Sequence, residues 1–508
     1  MAKKILLWFG TNYTHFCLSY YLKKKLDCEA YAITDVTERP KLFLKNQKLV
    51  DFKQIWFFHD HIDQKNNTPD LDYLAKFEKK YKLDLWKLIQ NERIFLYYNY
   101  HKYSKNEILS ILEQECRLFE DILETVKPDF FFSKLPSLHH HELFYQMCKN
   151  SGVHVQIINF SMLGKKSMLT QEHEKLDSVE ELKRVECEER NFDELQKYFK
   201  KSNLLENLTN TLSKPGKTKK EIIKSAIEYS LNSDTTNAKT HYTYYGRTKS
   251  KVIFSYIFDQ IRTRIRESFL NKNLKKDISL PENFVLFPLH TEVERSLLIG
   301  APFYINQIEA VKNIAKSIPI NYKLVVKEHP FQGDRGWRSA SDYKDIMNIP
   351  NVILVHPSFS NEKLYKNCSL LVTIAGTAGF EVTFYGKPVI TFVDLNYSIL
   401  PSVTTLKNPH ELPALIRESL KKEVNPLDLN RYLFLLERNS SEFNYTDFTA
   451  KFDTEFFYGG RLVDTEISEP KMKSFLEKNS SILNDLADEH ISKMNWFGTS
   501  SAKSDMKT

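Results

Sequence analysis

Short apolar runs alternate with segments of helical periodicity through the first 166 residues of the chain. Where apolar residues are consecutive and turn residues bound them, the pattern predicts buried strands. These strands are 4–9, 28–34, 54–58, 130–132 and 153–160. The segments between them, such as 11–26 and 138–149, carry the apolar spacing of helices. Strands that alternate with helices form parallel sheets covered on both faces, so we predict a Rossmann-like domain over residues 1–166.

The same alternation resumes in the second half of the chain and predicts another doubly wound domain over residues 281–425. Two of its helices are predicted over 304–317 and 409–420. Its predicted strands are 284–287, 323–327, 352–355, 369–373 and 388–392. The fold class is therefore α/β, with two Rossmann-like domains.

Three further segments lack this alternation. Residues 167–280 are rich in Lys and Glu and read as a helical insertion or linker. Residues 426–495 predict only helices, which we expect to pack back on the N-terminal domain. The small, polar residues of 496–508 predict a disordered tail.

Composition and charge narrow the classes of function. The chain has 508 residues and a formal charge of +7, which suits an anionic substrate or the face of an anionic membrane. A merely soluble surface explains the charge equally well. Basic residues interleaved with aromatics form no stripe, so we expect no nucleic-acid partner.

Cysteine usage and the apolar runs bear on the compartment. The six cysteines are scattered without a C-x-x-C pair, which is typical of free thiols in a reducing compartment. The apolar run near the start is too short for a signal peptide. We expect a cytoplasmic protein and leave open peripheral attachment at the inner face of the plasma membrane.

Polar, turn-forming segments follow three strands of the second predicted domain. Because the carboxyl ends of parallel strands meet at one sheet edge, these segments predict a ligand site there. A turn of small residues lets backbone amides approach an anion. A histidine at such an edge can donate to a phosphate, and a carboxylate can accept from ribose hydroxyls. The candidate donor-binding residues are His290, Glu294, Lys327, His329, Gly376, Thr377, Gly379 and Glu381.

Each of these motifs alone is also common as an ordinary turn or a solvated helix residue. Their occurrence together in one domain is what favours a site. The N-terminal domain should hold the acceptor and the catalytic base. His59 and Asp60 follow its third strand and are the candidates for that base. Capping of a helix or simple surface exposure explains these two residues as well.

A run of histidines at 139–141 followed by Glu142 suggests a metal site at first sight. Adjacent helical side chains point about 100° apart, so we expect them not to converge on one ion. We therefore predict no metal site.

The C-terminal segments together resemble the capsule polysaccharide biosynthesis family, whose members are similar to bacterial Kdo transferases. The resemblance implies the GT-B arrangement of two facing Rossmann-like domains, an activated-sugar donor that is often CMP-linked, and no metal or other cofactor. It also implies that His329 contacts the donor phosphate, that Thr377 and Gly379 lie on the nucleotide, and that Glu381 lies near its ribose. The motifs that carry it are Phe287-Pro288-Leu289-His290 with Glu294, Lys327-Glu328-His329-Pro330, Gly376-Thr377-Ala378-Gly379-Phe380-Glu381 and Gly386-Lys387-Pro388. Val293 departs from the pattern, because a proline is expected before Glu294.

The expected function is that of a glycosyltransferase. It would move a sugar, such as Kdo or another CMP-activated sugar, from a nucleotide donor to a surface or capsular polysaccharide. Its partners would be the nucleotide-sugar donor and a glycan or glycolipid acceptor. Three alternatives remain open on the same fold: a UDP-sugar epimerase, a glycerol-phosphate transferase and a non-catalytic scaffold for glycan assembly.

Overall fold

A computed structural model describes residues 2–63, 68–173, 175–177, 182, 185–202, 224, 227, 229 and 242–504. Much of the predicted insertion between 203 and 241, and the last four residues of the predicted tail, lie outside the described residues. Two separate sheets organise the remainder, as the alternating pattern predicted.

The N-terminal sheet has seven strands in the order β13-β6-β5-β4-β1-β2-β3. The strands β1 to β5 pair in parallel, whereas β6 and β13 add antiparallel pairs at one edge. The strands are β1 (Lys3–Phe9), β2 (Cys28–Thr34), β3 (Phe52–Phe57), β4 (Phe130–Lys134), β5 (His154–Phe160), β6 (Ser167–Thr170) and β13 (Ser440–Ser441). Since β6 lies inside the segment predicted as a helical insertion, the first domain extends further than expected.

Helices cover both faces of this sheet and contribute to two apolar cores. They are Thr14–Lys25, Glu38–Asn46, Leu71–Tyr81, Leu85–Ile89, Arg93–Tyr97, Lys105–Val126 and His139–Asn150. Residues 71–126 form four helical pieces. Lys82 takes a left-handed conformation, with φ of 53°, and ends the first piece. Ser104 and Glu107 form a capping box that starts the last one.

The C-terminal sheet is entirely parallel, with the strand order β12-β11-β10-β7-β8-β9. This is the doubly wound order, in which the connections reverse direction between β7 and β10. The strands are β7 (Phe284–Pro288), β8 (Lys323–Lys327), β9 (Val352–Val355), β10 (Leu370–Thr373), β11 (Val389–Thr391) and β12 (Val403–Thr405). The short edge strand β12 was not predicted. Its helices are Arg295–Leu298, Gln307–Ser317, Ala340–Met347, Asn361–Asn367, Ala378–Thr383 and Leu412–Ser419.

Short 3-10 segments complete both domains. They are Phe58–His61, Tyr242–Tyr244, Pro302–Tyr304, Pro330–Arg335, Asn396–Ile399 and Pro409–Glu411. Between the domains lie the helices Phe192–Ser202 and Lys249–Asn273. The second of these begins a few residues after Tyr242 and Tyr245, which belong to the N-terminal core. Near its end, Leu270 belongs to the C-terminal core.

After the second domain the chain returns to the first. The helix Pro426–Asn439 packs Tyr432 and Leu433 into the C-terminal domain. The strand β13 then pairs with β6, so the segment predicted as only helices over 426–495 is interrupted by a strand. The remaining helices, Tyr445–Phe456, Glu469–Lys478 and Ser480–Ser504, contribute to the N-terminal core. The last one extends into the segment predicted as a disordered tail.

The two domains touch along one side of a cleft between their sheets. The Asn91 side chain donates to the Pro302 carbonyl at 2.9 Å, and Arg295 Nε donates to the Pro136 carbonyl at 2.8 Å. Two facing Rossmann-like domains are the GT-B arrangement, so the predicted fold class is confirmed. Among the described residues, every helix is too short or too polar to cross a membrane.

Candidate functional site

A cavity of about 590 Å³ lies between the two domains. Its C-terminal wall is formed by residues that follow β7, β8 and β10. These three strands are neighbours in the sheet, in the order β10-β7-β8, although β9 separates β8 from β10 in the sequence. The N-terminal wall includes Asn159, Ser161 and Lys166, which lie at and after the end of β5. The cavity therefore occupies the switch point of the second sheet, where open α/β sheets bind ligands.

Most of the predicted donor-binding residues meet on the C-terminal wall. They are His290, Glu294, Lys327, His329, Gly376, Thr377 and Glu381. Gly379 is placed elsewhere, as described below. These side chains are separated by as many as 91 positions in the sequence. The fold brings them together because the strand ends converge at one edge of the sheet.

His290 joins two strands at the switch point. Its Nε2 accepts the backbone N–H of Ala375 at 3.0 Å and lies 3.3 Å from Thr373 Oγ1. Gln307 holds the His290 backbone through two hydrogen bonds: its Oε1 accepts the His290 N–H, and its Nε2 donates to the His290 carbonyl. Burial, together with His329 and Arg338, lowers the pKa of His290 to about 3. His290 is therefore a neutral ring whose Nδ1–H has no hydrogen-bond partner among the described residues.

His329 is fixed by its own turn. Its Nδ1 accepts the backbone N–H of Phe331 at 3.2 Å and lies 2.9 Å from Thr291 Oγ1. Burial, followed by the charges of Lys327 and Arg338, lowers the pKa of His329 to about 4. At neutral pH the ring is therefore uncharged, and the proton resides on Nε2, because Nδ1 is an acceptor. The cavity wall gains a neutral N–H donor.

Lys327 supplies a positive charge beside this histidine. Burial lowers the pKa of Lys327 to about 8, and the Glu381 carboxylate opposes that shift. Its ammonium donates to Asn361 Oδ1. A partly desolvated ammonium next to a histidine N–H is a combination that attracts phosphate oxygens.

Glu381 lines the cavity and is held from two sides. Tyr365 donates to its Oε2 at 2.8 Å, and Thr377 Oγ1 donates to its Oε1 at 3.1 Å. Burial raises the pKa of the Glu381 carboxyl, although both hydrogen bonds and Lys327 oppose the shift. Each carboxylate oxygen already accepts one hydrogen bond. Its clearest role in the structure is to orient Thr377 and to balance the charge of Lys327.

Glu294 lies at the N-terminus of a short helix that starts at Arg295. Burial raises the pKa of its carboxyl, while Arg335 and Arg93 oppose that shift. Arg93 belongs to the N-terminal domain, so Glu294 lies where the two domains approach each other. The preceding Val293 has φ of 62°, and a proline could not adopt that conformation. The departure from the family pattern noted at this position therefore has a backbone reason.

A buried ion pair supports the wall and was not identified from the sequence. Arg338 Nε donates to Glu328 Oε2 at 2.8 Å, and Tyr343 donates to the same oxygen at 2.8 Å. The other Glu328 oxygen accepts the backbone N–H of His329 at 2.6 Å. Arg338 also donates to the His290 carbonyl. One network thus fixes the backbone at both histidines. The sequence signal that could have identified this ion pair is the position of Glu328, between Lys327 and His329.

Gly379 packs away from the cavity wall. A Cβ atom at this position would overlap the hydroxyl of Tyr397, which donates to the Gly376 carbonyl. The structure thus accounts for glycine at 379 by close packing of the turn. A Cβ at Gly376, by contrast, would lie 2.7 Å from Thr373 Oγ1 and 3.1 Å from His290 Nε2. Gly376 is thus required by the packing behind the wall that it lines.

His59 and Asp60 are not brought to the cavity. Asp60 forms an ion pair with Lys41 at 2.5 Å. His59 is buried, with its ring 4.9 Å from Phe58 and 5.7 Å from Tyr242. The end of β3 is at the far edge of the N-terminal sheet, with three strands between it and β5, whose end lines the cavity. A strand end alone did not tell which part of the edge faces the second domain.

The N-terminal wall carries a histidine that the sequence reasoning missed. His173 lines the cavity, and its Nε2 lies 3.2 Å from Glu142 Oε2. Burial raises the pKa of the Glu142 carboxyl, but His173 and Arg295 outweigh it and lower the pKa. The ionised Glu142 therefore accepts the Nε2–H of His173. The His173 Nδ1 has no hydrogen-bond partner among the described residues.

The histidine run behaves differently from the expectation. Glu115, His139 and His140 place one potential ligand atom each within 4.8 Å of one another. The rings of His139 and His140 therefore do approach one point, because rotation about the side-chain bonds can turn them towards each other. His139 nevertheless lies between Glu92, at 3.0 Å, and Glu115, at 2.9 Å. Burial opposes its charged form, but the two carboxylates outweigh it and raise the pKa of His139 to about 10. An imidazolium occupies this cluster.

Solved structures with general similarity include UDP-GlcNAc 2-epimerase from Neisseria meningitidis bound to UDP-GlcNAc. It shares 13% identity over 86% of this chain and 99% of that chain, with a TM-score of 0.25. The KpsC beta Kdo 2,7 transferase of Thermosulfurimonas dismutans shares 12% identity over 69% of this chain and 87% of that chain, with a TM-score of 0.29. With such low TM-scores, neither structure carries an argument about donor or reaction.

Comparison with curated proteins finds no match. Comparison with family models finds one over residues 196–422, described as capsule polysaccharide biosynthesis protein. This segment contains every residue of the C-terminal cavity wall described above, from His290 to Glu381. Residues 196–422 of this chain are therefore similar to the capsule polysaccharide biosynthesis family.

Proposed function

We propose that the protein is a glycosyltransferase that moves a sugar from a nucleotide donor to a surface or capsular polysaccharide. The observation that carries the proposal is the shared cavity. Lys327, His329 and Thr377 line it from the C-terminal side, and His173 lines it from the N-terminal side. A cleft with phosphate-binding groups on one wall and a base on the other matches what group transfer between two bound molecules requires.

The donor phosphate would lie between Lys327 and His329. The Nε2–H of His329 is fixed by the two contacts of Nδ1, so it requires no reorientation when charge develops on the leaving phosphate. Lys327 adds a positive charge in a partly desolvated setting. A CMP-activated sugar such as CMP-Kdo is the donor that the family resemblance suggests.

The acceptor hydroxyl would lose its proton to His173. Its Nδ1 can accept the proton while Glu142 stabilises the resulting imidazolium. The C–O bond to the leaving phosphate breaks as the acceptor oxygen bonds to the sugar carbon. The groups named in this step are all protein side chains, and the proposal includes no metal or other cofactor.

The site of action is proposed to be the cytoplasmic face of an anionic membrane, where a lipid-linked or growing glycan would be presented. The modest positive charge of the chain supports this placement.

A panel of donors tests the function. Purified full-length protein would be titrated calorimetrically with CMP, CDP and UDP, and nucleotide release would be followed with CMP-Kdo, CDP-glycerol and UDP-GlcNAc, with and without a glycan acceptor. We expect one nucleotide to bind and its sugar donor to be turned over only when acceptor is present. Conversion of a UDP-sugar without acceptor would indicate an epimerase instead. Turnover of CDP-glycerol would indicate a glycerol-phosphate transferase, and no affinity for any nucleotide would indicate a scaffold.

A further inference from the structure

The helix Lys249–Asn273 exposes an unusual amount of apolar surface. Leu270 is its only buried residue, and the exposed fraction of Phe258 reaches 68%. Contiguous apolar surface of this kind marks interaction sites in folded proteins. The exposed apolar side chains of this helix are Ile253, Phe254, Tyr256, Ile257, Phe258, Ile261 and Ile265.

Most of these side chains share one face of the helix. Ile253, Ile257, Ile261 and Ile265 recur every four residues, and Phe254 and Phe258 fall between them. This spacing forms a continuous apolar stripe, which we call the 253–265 stripe.

The C-terminal turns of the helix are anchored to the C-terminal domain. Arg266 donates to the carbonyls of Gly336, at 3.2 Å, and Trp337, at 2.6 Å. The Phe269 ring stacks on Tyr343, with centroids 6.3 Å apart, and Leu270 enters the core. At about 100° per residue, Leu270 points away from Ile261 by roughly half a turn. The 253–265 stripe therefore faces outward because the anchor fixes the rotation of the helix.

The charged residues of the helix indicate which partner fits the 253–265 stripe. The helix holds six basic and two acidic residues. By their helical positions, Lys251 and Arg262 border the stripe on one side. Arg264 lies near its other edge, between Ile253 and Ile257. An apolar stripe edged by basic residues is the pattern of a helix that lies in the surface of an anionic bilayer.

The same charges disfavour pairing of two copies through this stripe. The helix has an excess of basic residues, and pairing would bring the like charges of two copies together, which opposes association. Asp259, one of its two acidic residues, is already paired with Arg262 of its own helix at 2.5 Å.

We infer that the 253–265 stripe docks the protein on the surface of an anionic membrane. This surface gives residues to the membrane contact proposed above, but it does not depend on the transfer reaction. The anchor has a consequence for the site: Arg266 binds the end of the 3-10 segment Pro330–Arg335, which begins directly after His329. Docking of the helix would therefore hold the donor-side wall close to the bilayer, where a lipid-linked acceptor is found.

Vesicle flotation of the full-length protein tests this inference. Vesicles of phosphatidylcholine alone would be compared with vesicles containing about 30% phosphatidylglycerol. The test variant carries Phe254→Ser, Phe258→Ser and Ile265→Ser, which change the most exposed positions of the stripe. A matched control removes three exposed apolar side chains elsewhere, through Leu42→Ser, Phe303→Ser and Ile320→Ser, whose exposed fractions are 57%, 82% and 103%.

We expect wild type and the control to float with the anionic vesicles, and the stripe variant to bind them about tenfold or more weakly. Lys251→Gln with Arg264→Gln should weaken binding to anionic vesicles and reduce its dependence on salt. Equal binding by wild type and the stripe variant overturns the inference. So does a wild type that ignores vesicles and is dimeric by light scattering while the stripe variant is monomeric, since a second copy then covers the stripe. Nucleotide titration of the stripe variant shows whether it is folded and keeps this outcome separate from the test of glycosyl transfer.

Discussion

His290 Nε2 accepts the backbone N–H of Ala375 at 3.0 Å, at the point where the connections between strands of the second sheet reverse their direction. The bond ties the end of β7 to the turn after β10, 85 positions later. The turn carries Gly376 and Thr377, so the shape of the donor-side wall depends on a neutral imidazole. Protonation of His290 would convert the acceptor into a second donor and break this link.

This relationship predicts an acid sensitivity. The pKa of His290 is about 3 in the folded protein and near 6.5 when unfolded. Below pH 6.5 the unfolded chain binds a proton that the folded one does not, so stability falls as pH decreases towards 3. His290→Asn should reduce the slope of unfolding free energy against pH between 6 and 4.5 by about 1.4 kcal/mol per unit. Urea unfolding at several pH values measures it.

The matched control for this change is His410→Asn, because His410 is exposed on the surface of the same domain. It should leave the slope as in wild type. Other buried neutral histidines, such as His15 with a pKa of about 3, keep a residual acid sensitivity in every variant. An unaltered slope in His290→Asn would mean that this ring does not carry the effect.

His329→Ala should lower kcat by about 10²–10³-fold, because one preorganised donor to the leaving phosphate is lost. The thermal midpoint should change little, since the ring packs at the cavity wall rather than in the core. His329→Gln retains an N–H donor and should lose less activity. Turnover of the donor identified by the panel, measured beside His410→Ala, decides the matter. Equal kcat in wild type and His329→Ala would remove this residue from the transfer step.

His173→Ala should lower kcat by about 10²–10⁴-fold while leaving the affinity for the nucleotide unchanged, since His173 is on the opposite wall. Glu142→Gln should also lower kcat, because it removes the acceptor that orients the ring. The measurement is kcat and Kd for the nucleotide in wild type and both variants. An unchanged kcat in His173→Ala would point to another base.

Gly379→Ala should destabilise the protein by about 1–3 kcal/mol, because its Cβ displaces the Tyr397 ring. Tyr397→Phe removes the overlapping hydroxyl, so the double variant should be more stable than the sum of the two single effects predicts. Chemical unfolding of the four proteins in this cycle gives the coupling energy. Simple additivity would show that the contact with Tyr397 is not the reason for glycine at this position.

Much of the fold could be predicted from local pattern. The buried runs at 4–9, 28–34 and 323–327 match β1, β2 and β8 closely, since a strand buried on both faces leaves a continuous apolar signal. The short strands β6, β12 and β13 were missed. Each has at most four residues, so its identity depends on the neighbour with which it pairs rather than on its own periodicity.

The candidate site divides in the same way. The sequence identified three residues of the cavity wall, which are Lys327, His329 and Thr377. Each lies at or just after the end of a strand, and that end must lie at the sheet edge. His173 follows no such strand in the parallel set and lies within a segment that reads as an insertion. Its position on the cavity wall depends on the antiparallel return of β6 and on Glu142 in a different helix.

Local patterns in the sequence predict two doubly wound domains and the polar residues that lie at the edge of the second one. Both depend on spacing between near neighbours in the chain, which periodicity records directly. Three outcomes come from tertiary packing alone: which edge residues face each other across the cleft, the packing of Gly379 on Tyr397, and the outward orientation of the 253–265 stripe. These outcomes depend on how distant segments pack and rotate against one another, and no local pattern contains that information.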